Sequence, residues 1–118
     1  MEFLDTYALV MYVEGSLEAG EEFVTLDMNL AELYYVILRR FNEKTADHFH
    51  RIFSAVAVPM PRELIPAAMK LRLEQKGKRF SYADCLGYTY AQVKALPFVT
   101  GDVAFKGMRG VKMVRQQR

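Results

Sequence analysis

Four acidic residues occupy comparable places along the chain: Asp5, Glu32, Asp84 and Asp102. Asp5 follows a short apolar run with the look of a strand, Glu2-Phe3-Leu4. Glu32 lies in the first turn of the helix expected after a second strand, Phe23–Leu26. Asp84 lies in the first turn of a helix opened by Ser81, and Asp102 follows a strand at Phe98–Thr100. Each has a simple structural use. Asp5 can N-cap the helix after it, Asn29…Glu32 and Ser81…Asp84 have the spacing of capping boxes, and Asp102 in Thr-Gly-Asp suits a turn. Together at one edge of a sheet, however, four carboxylates repel unless a cation neutralises them. Carboxylate oxygens without His or Cys partners suit Mg²⁺ or Mn²⁺ rather than zinc. Such a centre activates water and stabilises phosphoryl oxygens in hydrolysis.

The elements that must position these acids follow from periodicity. Residues from Thr6 onward can be helical, and Gly15 to Glu22 form a polar connection. After Asp27-Met28-Asn29, the apolar positions Leu30, Leu33, Tyr34, Ile37, Leu38 and Phe41 repeat as one helix face, with Arg39 and Arg40 in the last turn. A helix is expected over 45–53 with Phe49, Ile52 and Phe53 inward, and a short strand over 55–58 before Pro59 and Pro61. Pro66 places the next helix start near Ile65, with its end at Gln75 before Gly77. Ser81 opens a helix to about Lys94, with Leu86, Tyr90 and Val93 as its apolar stripe, and 111–114 forms a last, edge strand. Strands alternating with helices predict an α/β three-layer sandwich: a mainly parallel central sheet with helices on both faces, whose sites lie at the carboxyl ends of the strands.

Charge is divided along the chain. Residues 1–38 hold eight acids (Glu2, Asp5, Glu14, Glu18, Glu21, Glu22, Asp27, Glu32) and no Lys or Arg. All 16 basic residues fall in 39–118 against six acids, and after Asp102 the charges are Lys106, Arg109, Lys112, Arg115 and Arg118. A basic remainder beside an acidic centre suits a polyanionic substrate; solvated faces would give the same counts. With 118 residues, 52% hydrophobic and 25% charged, the composition excludes a disordered, collagen-like or coiled-coil chain and fits one domain over 1–118. Cys85 stands alone, which excludes an intramolecular disulfide and a multi-cysteine zinc site. No apolar run is long enough to span a bilayer, and the first 15 residues have no basic stretch of a secretory signal, so the expectation is a cytoplasmic protein away from membranes.

The segments Leu4-Asp5-Thr6, Asn29-Leu30-Ala31-Glu32-Leu33-Tyr34, Phe80-Ser81-Tyr82-Ala83-Asp84-Cys85-Leu86-Gly87-Tyr88 and Phe98-Val99-Thr100-Gly101-Asp102-Val103-Ala104-Phe105 occur in one order over nearly the whole chain. In this they resemble a PIN domain, and more narrowly the VapC-type ribonuclease toxins of prokaryotic toxin–antitoxin pairs, particularly compact archaeal members. The resemblance implies that Asp5, Glu32, Asp84 and Asp102 are the catalytic acids around one or two Mg²⁺ or Mn²⁺ ions, with Thr6 and Thr100 as hydroxyls beside them. It implies metal-dependent endonucleolytic cleavage of RNA to leave a 5′-phosphate, a homodimer, and a small antitoxin protein occupying the active-site groove. Tyr7 stands where the family often has a small Ser or Asn, and the connection between Asp5 and Glu32 is short; both bear on groove shape and RNA specificity.

Other residues carry less. Lys106 and Arg109, just past Asp102, are candidates for a substrate phosphate. His48 and His50, two apart in a helix, point to different faces, and Cys85 has no partner base. The tyrosines Tyr34, Tyr35, Tyr82, Tyr88 and Tyr90 suit packing or base stacking. A receiver-like phospho-acceptor module with an acidic Mg²⁺ pocket, in which Asp5, Thr100 and Lys106 take the key roles, is an alternative of similar size. A catalytically silent PIN-type binding protein is another.

Overall fold

The computed structural model describes residues 1–17 and 22–115. Glu18, Glu21 and Arg118, counted above among the charges, and part of the expected 15–22 connection lie outside the described residues.

In chain order the elements are β1 (Glu2–Leu4), α1 (Thr6–Val13), β2 (Phe23–Leu26), α2 (Asp27–Arg40), α3 (Glu43–Ser54), β3 (Ala57–Val58), α4 (Ile65–Glu74), α5 (Tyr82–Val93), β4 (Phe98–Thr100) and β5 (Val111–Met113), with short 3-10 turns at Arg62–Leu64, Lys76–Lys78 and Val103–Phe105. The strands form one five-stranded sheet in the order β3-β2-β1-β4-β5. Every pairing is parallel, as in Phe3 opposite Val24 on one side and Phe98 on the other. The expected α/β sandwich is therefore present. A receiver-like domain has the order 2-1-3-4-5, so this sheet excludes that alternative.

Two apolar clusters cover the two faces. On one, Leu4 and Val99 pack with Ala8 and Leu9 of α1, Leu30, Leu33 and Ile37 of α2, and Phe53 of α3. On the other, Phe3 and Phe98 pack with Leu64, Ala68 of α4, Leu86, Tyr88 and Tyr90 of α5, and Phe105. Alternate residues of β1 and β4 thus point to opposite layers, as the period of a strand requires. With an apolar cluster on each side, both faces of the sheet's centre are buried as in other parallel sheets.

Several elements differ from expectation. α2 begins at Asp27, directly on the end of β2, with Leu26 as an N-cap that makes no side-chain bond, so Asn29 is not a cap and Glu32 falls in the second turn. Leu38 and Phe41, expected inward, are exposed, as is Ile52 of α3. Leu38 and Ile52 each adjoin a buried neighbour, Ile37 and Phe53, and so lie on the uncovered side of their helices, while Phe41 follows the end of α2. Val93 is likewise exposed, whereas Ala83 through Ala91 of α5 are buried almost all round. β3 is two residues long, not four.

Candidate active site

All four acids line one cavity of about 500 Å³, together with Thr6 and Ser81. Asp5 is placed by β1, which delivers it to the carboxyl edge of the sheet between β2 and β4. There its Oδ1 accepts the Ala8 N–H at 2.8 Å and starts α1. Asp84 sits three residues into the capping box of α5: its amide donates to Ser81 Oγ at 3.0 Å, and its Oδ2 accepts the Ser81 N–H at 2.8 Å. Asp102, after β4, accepts the Ala104 N–H at 2.9 Å, and its own N–H donates to the buried Thr100 hydroxyl at 3.0 Å. Capping and site formation are therefore one arrangement, because each cap fixes one carboxylate oxygen and aims the group.

Glu32 is held differently. The Thr6 hydroxyl donates to its Oε1 at 2.7 Å, and Thr6 in turn accepts from Asn29 Nδ2 at 3.1 Å. Asn29 is fully buried on α2, and its Oδ1 makes no hydrogen bond. Its contribution was hidden in the sequence, where three-residue spacing to Glu32 reads as a cap. The signal available was a polar residue one place before the apolar stripe. Thr100 is buried beside Asp5 and Asp102. Lys106 is exposed at the end of the Val103–Phe105 turn, and neither it nor Arg109 lines the cavity. Sequence reasoning also missed the cavity's other residues, among them Val10, Met11, Glu14, Val36 and Arg40.

The electrostatics are those of crowded carboxylates in a partly closed space. Burial pushes the Asp5 carboxyl up from 3.8 to about 7; hydrogen bonds from Thr100 and Ala8 oppose this, and repulsion from Asp84 and Asp102 adds to it. Asp84 is also raised, first by burial and then by the charges of Glu32 and Asp102, against the Ser81 bonds. Cys85, next in sequence, is buried, and its thiol is pushed up to about 11 by that burial and by Asp84, leaving it a core residue rather than a nucleophile.

The donor set is entirely oxygen, and the buried Asp5 carboxylate lacks a neutralising cation of the protein's own among its perturbing groups. Both features fit a hard divalent cation. Among the described residues no three acidic, His or Cys side chains close on one point. That openness is compatible with Mg²⁺, which keeps several waters and takes only one or two carboxylates. His48 and His50 are exposed on α3, away from the acids, and His50 lines a separate surface depression with Tyr34 and Asp47.

A model of the PIN domain family matches residues 2–111. Among solved structures, the chain is similar to VapC20 of Mycobacterium tuberculosis, a sarcin-ricin loop cleaving toxin, with 17% identity, a TM-score of 0.77, and 98% of this chain and 99% of that one covered. A toxin–antitoxin complex from Klebsiella pneumoniae gives 17% identity and a TM-score of 0.75 over the same shares. VapBC-5 from Mycobacterium tuberculosis gives 20% and 0.68 over 97% of each chain. A comparison with curated protein sequences returned no match. The matched span takes in β1 through the start of β5 and every one of the four acids, so the chain belongs to the PIN domain family.

Proposed function

We propose that this PIN domain is a Mg²⁺- or Mn²⁺-dependent endoribonuclease and the toxin of a VapBC-type toxin–antitoxin pair. The observation that carries this is the meeting of Asp5, Glu32, Asp84 and Asp102 in one cavity at the carboxyl edge of the sheet. The toxins and toxin–antitoxin complexes that share the fold support the assignment and a small antitoxin as partner. A homodimer as the working form is what the family resemblance implies. The whole chain, 1–118, acts as one domain, and a cytoplasmic location suits its substrate; among the described residues no helix is long and apolar enough to cross a membrane.

Asp5, Asp84, Asp102 and Glu32 would hold one or two such cations, directly or through water. Such an ion, when bound, lowers the pKa of water and offsets charge on the phosphoryl oxygens. The chain's own residues supply the rest. Asp5, whose carboxylate accepts the Ala8 N–H and lies beside Thr100, keeps a fixed, buried carboxylate in the cavity. Asn29 sets the Thr6 hydroxyl, which sets Glu32 across from the aspartates. Water attacks phosphorus, the bond to the 3′ oxygen breaks, and the water's proton ends on that oxygen, leaving a 5′-phosphate and a 3′-hydroxyl.

The test is cleavage of mixed structured RNAs in Mg²⁺, Mn²⁺ or EDTA, beside Asp84→Asn. An asparagine can still accept the Ser81 N–H, so the variant is expected to fold and to lose cleavage by a factor of at least about 10². Cutting by the folded variant at the wild-type rate would take Asp84 out of the catalytic set, and wild-type protein that neither cuts RNA nor binds Mn²⁺ would make a catalytically silent binding domain the answer.

A further inference from the structure

The cavity extends beyond its acids. α1 and α2 leave the same sheet edge and run side by side, touching near both ends through pairs with the same sequence offset: Thr6 with Glu32, and Glu14 with Arg40 at 3.8 Å. Between these contacts lies a trough whose lining is apolar, with Val10 and Met11 from α1 and Val36 from α2. Eight residues of helix separate Glu32 from Arg40, roughly 12 Å along the axis.

Tyr7 lines the same cavity and follows Asp5 and Thr6 in the chain. It is braced against the turn that carries Asp102: a Cβ on Gly101 would stand 2.6 Å from the Tyr7 ring and 2.7 Å from Met11 Sδ. Gly101 is thus the residue that lets an aromatic ring lie against this turn. Tyr7 is 51% exposed, so much of the side chain is left uncovered by the protein. An aromatic ring supported from behind, beside a site for phosphate chemistry, is a platform for an unstacked base.

We propose that the trough is a nucleobase subsite, in which the base adjoining the cut phosphate of a single-stranded RNA segment stacks on Tyr7. Val10, Met11 and Val36 pack against the base, and the Glu14–Arg40 pair presents an acceptor and donors to its edge. The cavity volume is within the range of small-ligand sites. A smaller residue at position 7 would leave the apolar trough without its platform, so this side chain selects for a base that can be turned out of its stack.

The subsite rests on the ribonuclease function proposed above, and its test separates the two. Short single-stranded RNAs carrying 2-aminopurine at successive positions are titrated with the protein in EDTA, where binding is read without cleavage. One position is expected to be quenched by wild-type protein. Tyr7→Leu should lose that quench and weaken binding by roughly tenfold or more, while Tyr7→Phe should keep both. Val36→Phe, which fills the trough from the opposite helix, should abolish the quench without altering the packing of Tyr7 on Gly101. Quenching that survives both Tyr7→Leu and Val36→Phe, or RNA binding with no quench at any position, overturns the subsite. If the wild type still cuts RNA with Mn²⁺ in that case, the nuclease stands and only the subsite falls. Wild-type protein that neither binds nor cuts RNA overturns both.

Discussion

A carboxylate with 1% of its surface exposed must either share a proton or face a cation, and Asp5 is such a group. Its acid form is favoured in the folded protein up to about pH 7, against 3.8 for an ordinary aspartate. The sign of the linkage follows. Between those values the folded state binds a proton that the unfolded state has released, so metal-free protein loses stability as pH rises from about 4 to 7, by a few kcal/mol. Asp5→Asn keeps an acceptor for the Ala8 N–H and removes the charge. It is expected to flatten this part of the stability curve and raise the melting temperature of metal-free protein at pH 8, while abolishing cleavage. Urea unfolding at pH 5, 6, 7 and 8 in EDTA checks this; equal pH dependence in both proteins would show that Asp5 does not carry it. At this scale the acids were legible from sequence because strand ends and helix starts are marked by β-formers and caps. Asn29 was not, because a buried relay and an N-cap have the same spacing to Glu32. Lys106, close to Asp102 in sequence, stands exposed past the 3-10 turn and outside the cavity lining, because that turn redirects the chain.

Elements deliver these residues only if the layers beneath them hold their spacing. α5 carries Asp84 at its start and crosses behind β1, where Gly87 faces the Phe3 ring. A Cβ at Gly87 would come within 2.9 Å of Phe3 Cζ and 3.4 Å of Asn29 Oδ1. That ring cannot swing aside, because it is fully buried, stacked on Phe98 at 5.6 Å and set against Tyr90 at 5.8 Å. Gly87→Ala gains helix propensity of at most about 1 kcal/mol yet overpacks the core by about 1–3 kcal/mol. The expected outcome is a net loss of stability, with a fall in melting temperature on the order of 5 °C, measured by calorimetry. A rise would mean that Phe3 relaxes freely. The strand and helix order was readable from alternating periodicities, since β1, β2, α2, α4 and α5 begin or end at Pro, Ser, Asp or Gly signals. What was not readable is how far each apolar stripe stays covered. Leu38 and Ile52 stand next to the buried Ile37 and Phe53, so the boundary of cover falls between adjacent residues and is set by tertiary packing rather than by periodicity.

Over the whole molecule, charge is sorted by sequence and then by fold. The acidic first third contributes β1, α1, β2 and most of α2, which supply Asp5, Glu14 and Glu32 to the cavity. The basic remainder supplies Arg40, Ser81, Asp84 and Asp102. Between α4 and α5, Lys76, Lys78 and Arg79 are all exposed, Arg79 in the left-handed region with φ of 58°, and the chain then enters Ser81 at the cavity wall. Beside them the Arg72 guanidinium lies 4.5 Å from the Tyr82 ring and its Nε donates to Phe80 O at 3.1 Å. A backbone of phosphates crossing this basic segment toward Ser81 would displace counterions, and each contact contributes a salt dependence of roughly 0.7 in the slope of log K against log salt for a single strand. Replacing Lys76, Lys78 and Arg79 together by Ala is therefore expected to lower that slope by about 2. It should raise KM for RNA while leaving kcat near the wild-type value, because these side chains stand outside the cavity and bind substrate and transition state alike. Filter binding across a salt series, with cleavage kinetics at one salt concentration, measures both quantities. An unchanged slope would place the RNA on another face, and a fall in kcat with KM unchanged would mean that the 76–79 segment positions Asp84 rather than the strand.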